Sequence, residues 1–88
     1  MEIKEKIREI LVNTIEGLKG KNLKYDEQLI TTGYIDSYEI IQLMEVFENE
    51  FFVKIDIEKI SLSNFETIDA MSTLILEMKG ESHEWYKF

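Results

Sequence analysis

Chemistry in this chain has few places to reside. There is no Cys and only one histidine, His83, so thiolate nucleophiles, disulfides and Cys or multi-His metal sites have nothing to be built from. The acidic residues do not follow the Asp-x-Asp-x-Asp-Gly spacing of a calcium loop. Ser37 has no His nearby in the sequence to act as its base, which argues against a hydrolase. One segment stands out, Gly33-Tyr34-Ile35-Asp36-Ser37-Tyr38. Asp36 is a favoured helix N-cap, and Glu39 three residues on completes a capping-box pattern. Ser37 then falls at the first helical position, at the mouth of a long loop, with its hydroxyl facing solvent. Free N–H groups and the positive dipole end of a helix favour a phosphate there. Taken alone, the Asp-Ser pair reads as ordinary helix capping.

The elements that must position this serine follow from apolar spacing. Ile3, Ile7, Leu11, Ile15 and Leu18 recur at helical intervals and predict a first helix, stopped near Gly17 and Gly20. A long connection, about residues 19–35, follows. Leu23, Leu29, Ile30 and Ile35 are its expected anchors, and Thr31-Thr32-Gly33 its turn. A loop this long in a small domain is expected to be functional or held by its own apolar residues. Ile40, Leu43, Met44, Phe47 and Phe51 form the buried stripe of a second helix starting after Asp36. Asp56 caps one short turn at 57–60, and 61–65 reads as a connector. A last helix starts near Thr67, buries Ile68, Met71, Ile75 and Met78, and is expected to end at Gly80. The only strand-like stretch, 51–57, has no partner to pair with. The expectation is an all-α domain over 1–80, with three main helices, one short helix and a long first loop. Residues 81–88 are expected to form a C-terminal tail that packs loosely or stays disordered.

Length and charge narrow the function. Eighty-eight residues support one domain and one core. The net charge is −8, unevenly placed. Residues 1–24 carry six Lys/Arg against four Asp/Glu, whereas 25–88 carry four against fourteen. Such a surface repels nucleic acid and anionic lipid and steers basic protein surfaces toward itself. The start of the chain, Met1-Glu2-Ile3-Lys4-Glu5-Lys6, does not read as a secretory signal, and no apolar run is long enough to span a bilayer. A cytoplasmic monomer is the expectation.

The flanking pattern changes the standing of Ser37. Gly33-Tyr34-Ile35-Asp36-Ser37-Tyr38-Glu39-Ile40-Ile41 resembles the acyl carrier protein family, whose pattern is Gly-x-hydrophobic-Asp-Ser-hydrophobic followed by an acidic, apolar-striped helix. That family includes peptidyl and D-alanyl carriers. Leu43 to Phe51 is similar to the family's second helix. Lys54-Ile55-Asp56 and Phe65-Glu66-Thr67-Ile68 are similar to its third and fourth segments. The likeness spans about residues 3–79. It implies an acyl-carrier-like four-helix bundle. It also implies that the protein is not an enzyme but a free-standing carrier. A phosphopantetheinyl transferase would attach 4'-phosphopantetheine to Ser37, beside Asp36. The arm's thiol would then hold an acyl or aminoacyl group as a thioester, which suits a chain without cysteine. The positions matching the family's recognition helix are Tyr38, Glu39, Gln42, Glu45 and Glu48, with Glu58 as a looser candidate. They would meet basic patches on the transferase and on loading ligases, synthases or transferases. Tyr38 departs from the family's usual Leu and would narrow the set of partners. Ile40, Met44, Met71 and Ile75 could line a space for an acyl chain. Fatty-acid, polyketide, nonribosomal-peptide and D-alanine carriers share the pattern. The alternative is an unmodified acidic helical interaction module.

Overall fold

The computed structural model describes residues 2–85 in backbone, and the side chains of residues 2–80. Among the described residues the regular structure is helical, with no strand. Helix α1 spans Ile3–Thr14, α2 spans Ser37–Phe51 and α3 spans Ile68–Trp85. Single 3-10 turns stand at Glu16–Leu18, Ile57–Lys59 and Leu62–Phe65. The three main helices and the long first loop are where the apolar spacing placed them. The short turn after Asp56 is there too, its Glu58 N–H donating to the Asp56 carboxylate at 3.0 Å.

Three boundaries differ from the sequence-based expectation, each for a local reason. First, α1 stops at Thr14. The β-branched Ile15 turns extended at φ −97° and ψ 116°, which lets both Ile15 and Leu18 reach the core. Second, the connector 61–65 contains a further 3-10 turn, and this turn seats Phe65 in the core. Third, α3 does not end at Gly80 but continues to Trp85. A glycine inside a helix costs only about 1 kcal/mol relative to alanine, so it weakens the helix without ending it. His83 and the tail aromatics Trp85, Tyr86 and Phe88 lie outside the residues whose side chains are described.

The core is one cluster drawn from all three main helices, the loop and connector, and two of the three 3-10 turns. Ile7, Ile10 and Leu11 of α1 meet Ile40, Leu43, Phe47 and Phe51 of α2 and Ile68, Met71, Leu74, Ile75 and Met78 of α3. Helix α1 packs chiefly on α3 and also touches α2. Phe47 is at the aromatic centre. Its ring stacks on Phe65 at 6.4 Å between centroids and meets the edge of Phe51 at 5.9 Å. Such pairings add about 0.5–1.5 kcal/mol to the burial of the rings. Phe47→Ala should therefore lower unfolding stability by about 3–5 kcal/mol, read as a shifted midpoint in urea titration.

Candidate functional site

The site is built outward from the start of α2. Asp36 is the N-cap, in extended conformation, and the capping box is complete. Its carboxylate accepts the Glu39 N–H at 2.9 Å, and the Glu39 carboxylate accepts the Asp36 N–H at 3.1 Å. A helix start leaves four amides without partners in the helix, and this box satisfies two of them. The N–H groups of Ser37 and Tyr38 remain to meet solvent or an anion. Ser37 itself is exposed, and no hydrogen bond ties its hydroxyl to another described residue. The capping oxygen belongs to its neighbour, so the serine has no structural duty.

The chain reaches this point through the long loop, which is fastened at both ends. Leu23, Leu29 and Ile35 are almost fully buried, and Ile30 packs against the core. Near its start, Arg8 donates to the Leu23 carbonyl at 2.9 Å. Arg8 also pairs with Glu5 at 2.8 Å and lies 4.7 Å over the Tyr25 ring. The Tyr25 hydroxyl donates to Glu5, which raises its pKa above the ordinary tyrosine value. The Tyr25 carbonyl accepts the Asp69 N–H at 3.0 Å, joining the loop to the first turn of α3. Lys4 completes this knot by pairing with Asp69 at 2.9 Å.

The far end of the loop is held by Glu66. Its carboxylate accepts the Ile30 N–H at 3.2 Å, the Thr31 N–H at 3.0 Å and the Thr31 hydroxyl at 2.9 Å. Its carbonyl accepts the Leu29 N–H at 2.8 Å. The chain then turns through Gly33, whose φ of 83° is a conformation that glycine adopts without strain. Beside it, the Lys21 ammonium sits 4.7 Å over the Tyr34 ring.

The expected recognition residues divide into two kinds. Gln42 and Glu45 are exposed, and Tyr38 is 70% exposed. Glu39 is engaged in the capping box. Glu48 is half-buried, and its carboxylate accepts the Ile55 N–H at 2.8 Å, folding the connector back onto α2. Reversing the charge of Glu39 or Glu48 would therefore disturb the fold as well as any docking. Glu58 is exposed in the connector. Ile40, Met71 and Ile75 lie in the packed core, with Met44 at its edge. A groove of about 450 Å³, lined by Ile3, Lys6, Phe51 and Lys79, opens at the end of α2 remote from Ser37.

Sequence reasoning missed Glu66 and the Glu5–Arg8–Tyr25 knot. Glu66 lies 35 residues from Thr31 in the chain, and no local pattern signals such a pairing. Among the described residues no group of three His, Cys, Asp or Glu is placed to hold a metal ion, and no helix is long and apolar enough to cross a membrane. Neither a protein-family model nor a curated protein sequence matches the chain.

Two outcomes test this geometry. Asp36→Ala should cost about 1 kcal/mol of stability through loss of the cap, whereas Ser37→Ala should leave the thermal midpoint nearly unchanged. The second concerns acid. The Thr31 N–H is the main cause holding the Glu66 carboxyl below its ordinary 4.5, and the Thr31 hydroxyl and Ile30 N–H act with it against partial desolvation. A carboxylate depressed in the folded state stabilises fully above its unfolded pKa and ceases to do so as pH falls through its folded pKa. Stability should thus decline as pH drops below about 4.5. Glu66→Gln, already weaker at neutral pH, should show a shallower decline when midpoints are compared across pH 3–7.

Proposed function

We propose that the protein is an acyl or aminoacyl carrier, and that Ser37 receives a phosphopantetheine arm from a separate transferase. The observation that carries this reading is the Ser37 hydroxyl. It is exposed and without structural duty, on the first residue of a rigidly capped helix, with two neighbouring amides still available. The resemblance of residues 33–51 to the acyl carrier family supports it.

The residues fit a phosphodiester at this place. The Ser37 and Tyr38 N–H groups point out of the helix start, and the dipole favours negative charge there. Asp36 fixes the first turn of α2, on which the serine stands. In the attachment step the Ser37 oxygen forms the new bond to phosphorus and loses its proton to a base on the transferase. The bond from that phosphorus to the nucleotide half of coenzyme A breaks. When bound, the arm supplies a thiol that holds the cargo as a thioester. The protein's part is then to hold the tether at one fixed point, so that its cargo meets each partner's active site at high effective concentration.

Partner selection falls to the exposed face of α2. From Ser37 to Phe51 that helix carries Glu39, Glu45, Glu48 and Glu50 and no Lys or Arg. A basic partner surface would be steered to it, and Gln42 and Glu45 are the positions free to make that contact. The exposed Tyr38 and Ile41 would equally suit an unmodified interaction module. Whole-protein mass after incubation with coenzyme A and a broad-specificity transferase separates the two readings. The carrier gains the mass of one phosphopantetheine, and Ser37→Ala gains none. An unmodified native protein that stays unmodified with several such transferases is the module instead.

A further inference from the structure

The turn that leads into Ser37 has little burial to hold it. Thr31, Thr32 and Gly33 are all exposed, and the next fully buried residue is Ile35. The shape of this turn therefore rests on hydrogen bonds, and these form one connected path. The Leu29 carbonyl accepts the Tyr34 N–H at 2.9 Å and the Ile35 N–H at 3.1 Å, and the Ile30 carbonyl accepts the Gly33 N–H at 2.9 Å. Leu29, Ile30 and Thr31 are in turn the residues that Glu66 grips with its carbonyl and its carboxylate. Asp36 alone separates the end of this path from Ser37.

Glu66 is itself firmly seated. Phe65 before it and Ile68 after it are fully buried, and its neighbour Thr67 caps α3. Its grip on the turn is thus tied to the core rather than to the loop. Without the carboxylate, the Ile30 and Thr31 amides and the Thr31 hydroxyl would turn to water. An exposed turn freed in this way opens locally at small cost, while the capped helix after it stays formed. An enzyme acting on the Ser37 hydroxyl must pack over the residues on both sides of it. When only a fraction of molecules holds the turn in the docking shape, apparent affinity falls by that fraction, and the reaction inside the complex is unchanged.

We infer that Glu66 is a positioning residue for the modification of Ser37, acting through the turn at 29–35 and not by contact with the site. The inference rests on the carrier reading for the identity of the modifying enzyme. A positioning role differs from a purely structural one in what it predicts. If Glu66 served stability alone, any equal loss of stability elsewhere would affect modification equally. If it sets the turn, only changes to the latch will matter while the chain remains folded.

The test uses the full chain, coenzyme A and a broad-specificity phosphopantetheinyl transferase, at a temperature where far-UV circular dichroism shows each variant folded. Wild type, Glu66→Ala, Glu66→Gln, Thr31→Ala and a control, Ile10→Val, are compared. Ile10 is buried in α1, outside the loop. Glu66→Ala should raise KM for the carrier roughly fivefold or more, with kcat within about twofold. Glu66→Gln should recover most of that loss. One glutamate oxygen accepts both amides, so the glutamine oxygen can do the same while its NH2 donates to the Thr31 hydroxyl. Thr31→Ala, which loses only the hydroxyl contact, should fall between wild type and Glu66→Ala; it decides the matter if Glu66→Ala does not fold. Hydrogen exchange at the Tyr34 and Ile35 amides should quicken in the same order as KM rises. Ile10→Val should lower the urea midpoint and keep the wild-type KM. A KM that follows the urea midpoint through every variant, Ile10→Val included, overturns the inference and makes Glu66 a structural residue. So does an unchanged KM in all folded latch variants, and in both cases the carrier reading stands. A wild type that gains no mass overturns the carrier reading, and the positioning role with it.

Discussion

The structure depends on one carboxylate. Glu66 stands just before α3, yet it closes the loop that precedes α2. Twenty-two residues separate Thr14 from Ser37, and only one short 3-10 turn lies among them. Backbone N–H and C=O groups over that length must find partners, or the loop would not hold one shape. Apolar anchors alone fix where a loop touches the core; they do not fix its turn. Glu66 supplies what the loop lacks, with three acceptor contacts at Ile30 and Thr31 and a fourth through its carbonyl at Leu29. The turn at Gly33 and the capping box at Asp36 follow directly from that anchored point. The position of Ser37 is thus set from the far side of the domain.

This arrangement separates two uses of negative charge. Glu5, Glu39, Glu48 and Glu66 each accept hydrogen bonds that shape the backbone or latch the loop. Glu45 makes no such contact among the described residues and stands in solvent. An acidic protein of this size needs charge for solubility and for steering, and an even coating would supply both. Here part of the acidity is also structural. Counting acids along α2 therefore overstates the surface available to a partner.

The helices were legible because their signals are local. The stripe Ile40, Leu43, Phe47 and Phe51 repeats at the helical period, and all four are buried. Asp36 and Glu39 stand three residues apart, and that spacing alone predicts the box that forms. Thr67 likewise caps α3 through the Ala70 N–H at 3.0 Å. The exposed position of Ser37 was legible for the same reason. What could not be read depends on contacts distant in the chain or on small energies. The Glu66 clamp joins residues with no shared pattern. The Tyr25 knot draws on Glu5, Arg8 and Asp69 from two helices. Gly80 resembles a helix end, but its cost is only about 1 kcal/mol, and neighbouring turns outweigh it. Nothing in the residue type of Phe52 announces its left-handed backbone.

The two ends of α2 then differ in a way that bears on use. At its start every local choice favours the helix: an aspartate cap, a reciprocal glutamate and a loop latched from behind. At its end a phenylalanine occupies a conformation that glycine would fill with less strain. A sequence selected for stability alone would not keep both features in one helix. The start must be rigid because a group attached at Ser37 would be placed only as well as the helix that carries it. The end can afford strain because Phe51 and Val53, on either side of Phe52, are buried and hold the backbone in place. Anchorage from these neighbours keeps the backbone fixed while the Phe52 ring stands in solvent. The strain at Phe52 thus stays local, and the start of α2, where position matters, keeps its full set of stabilising contacts.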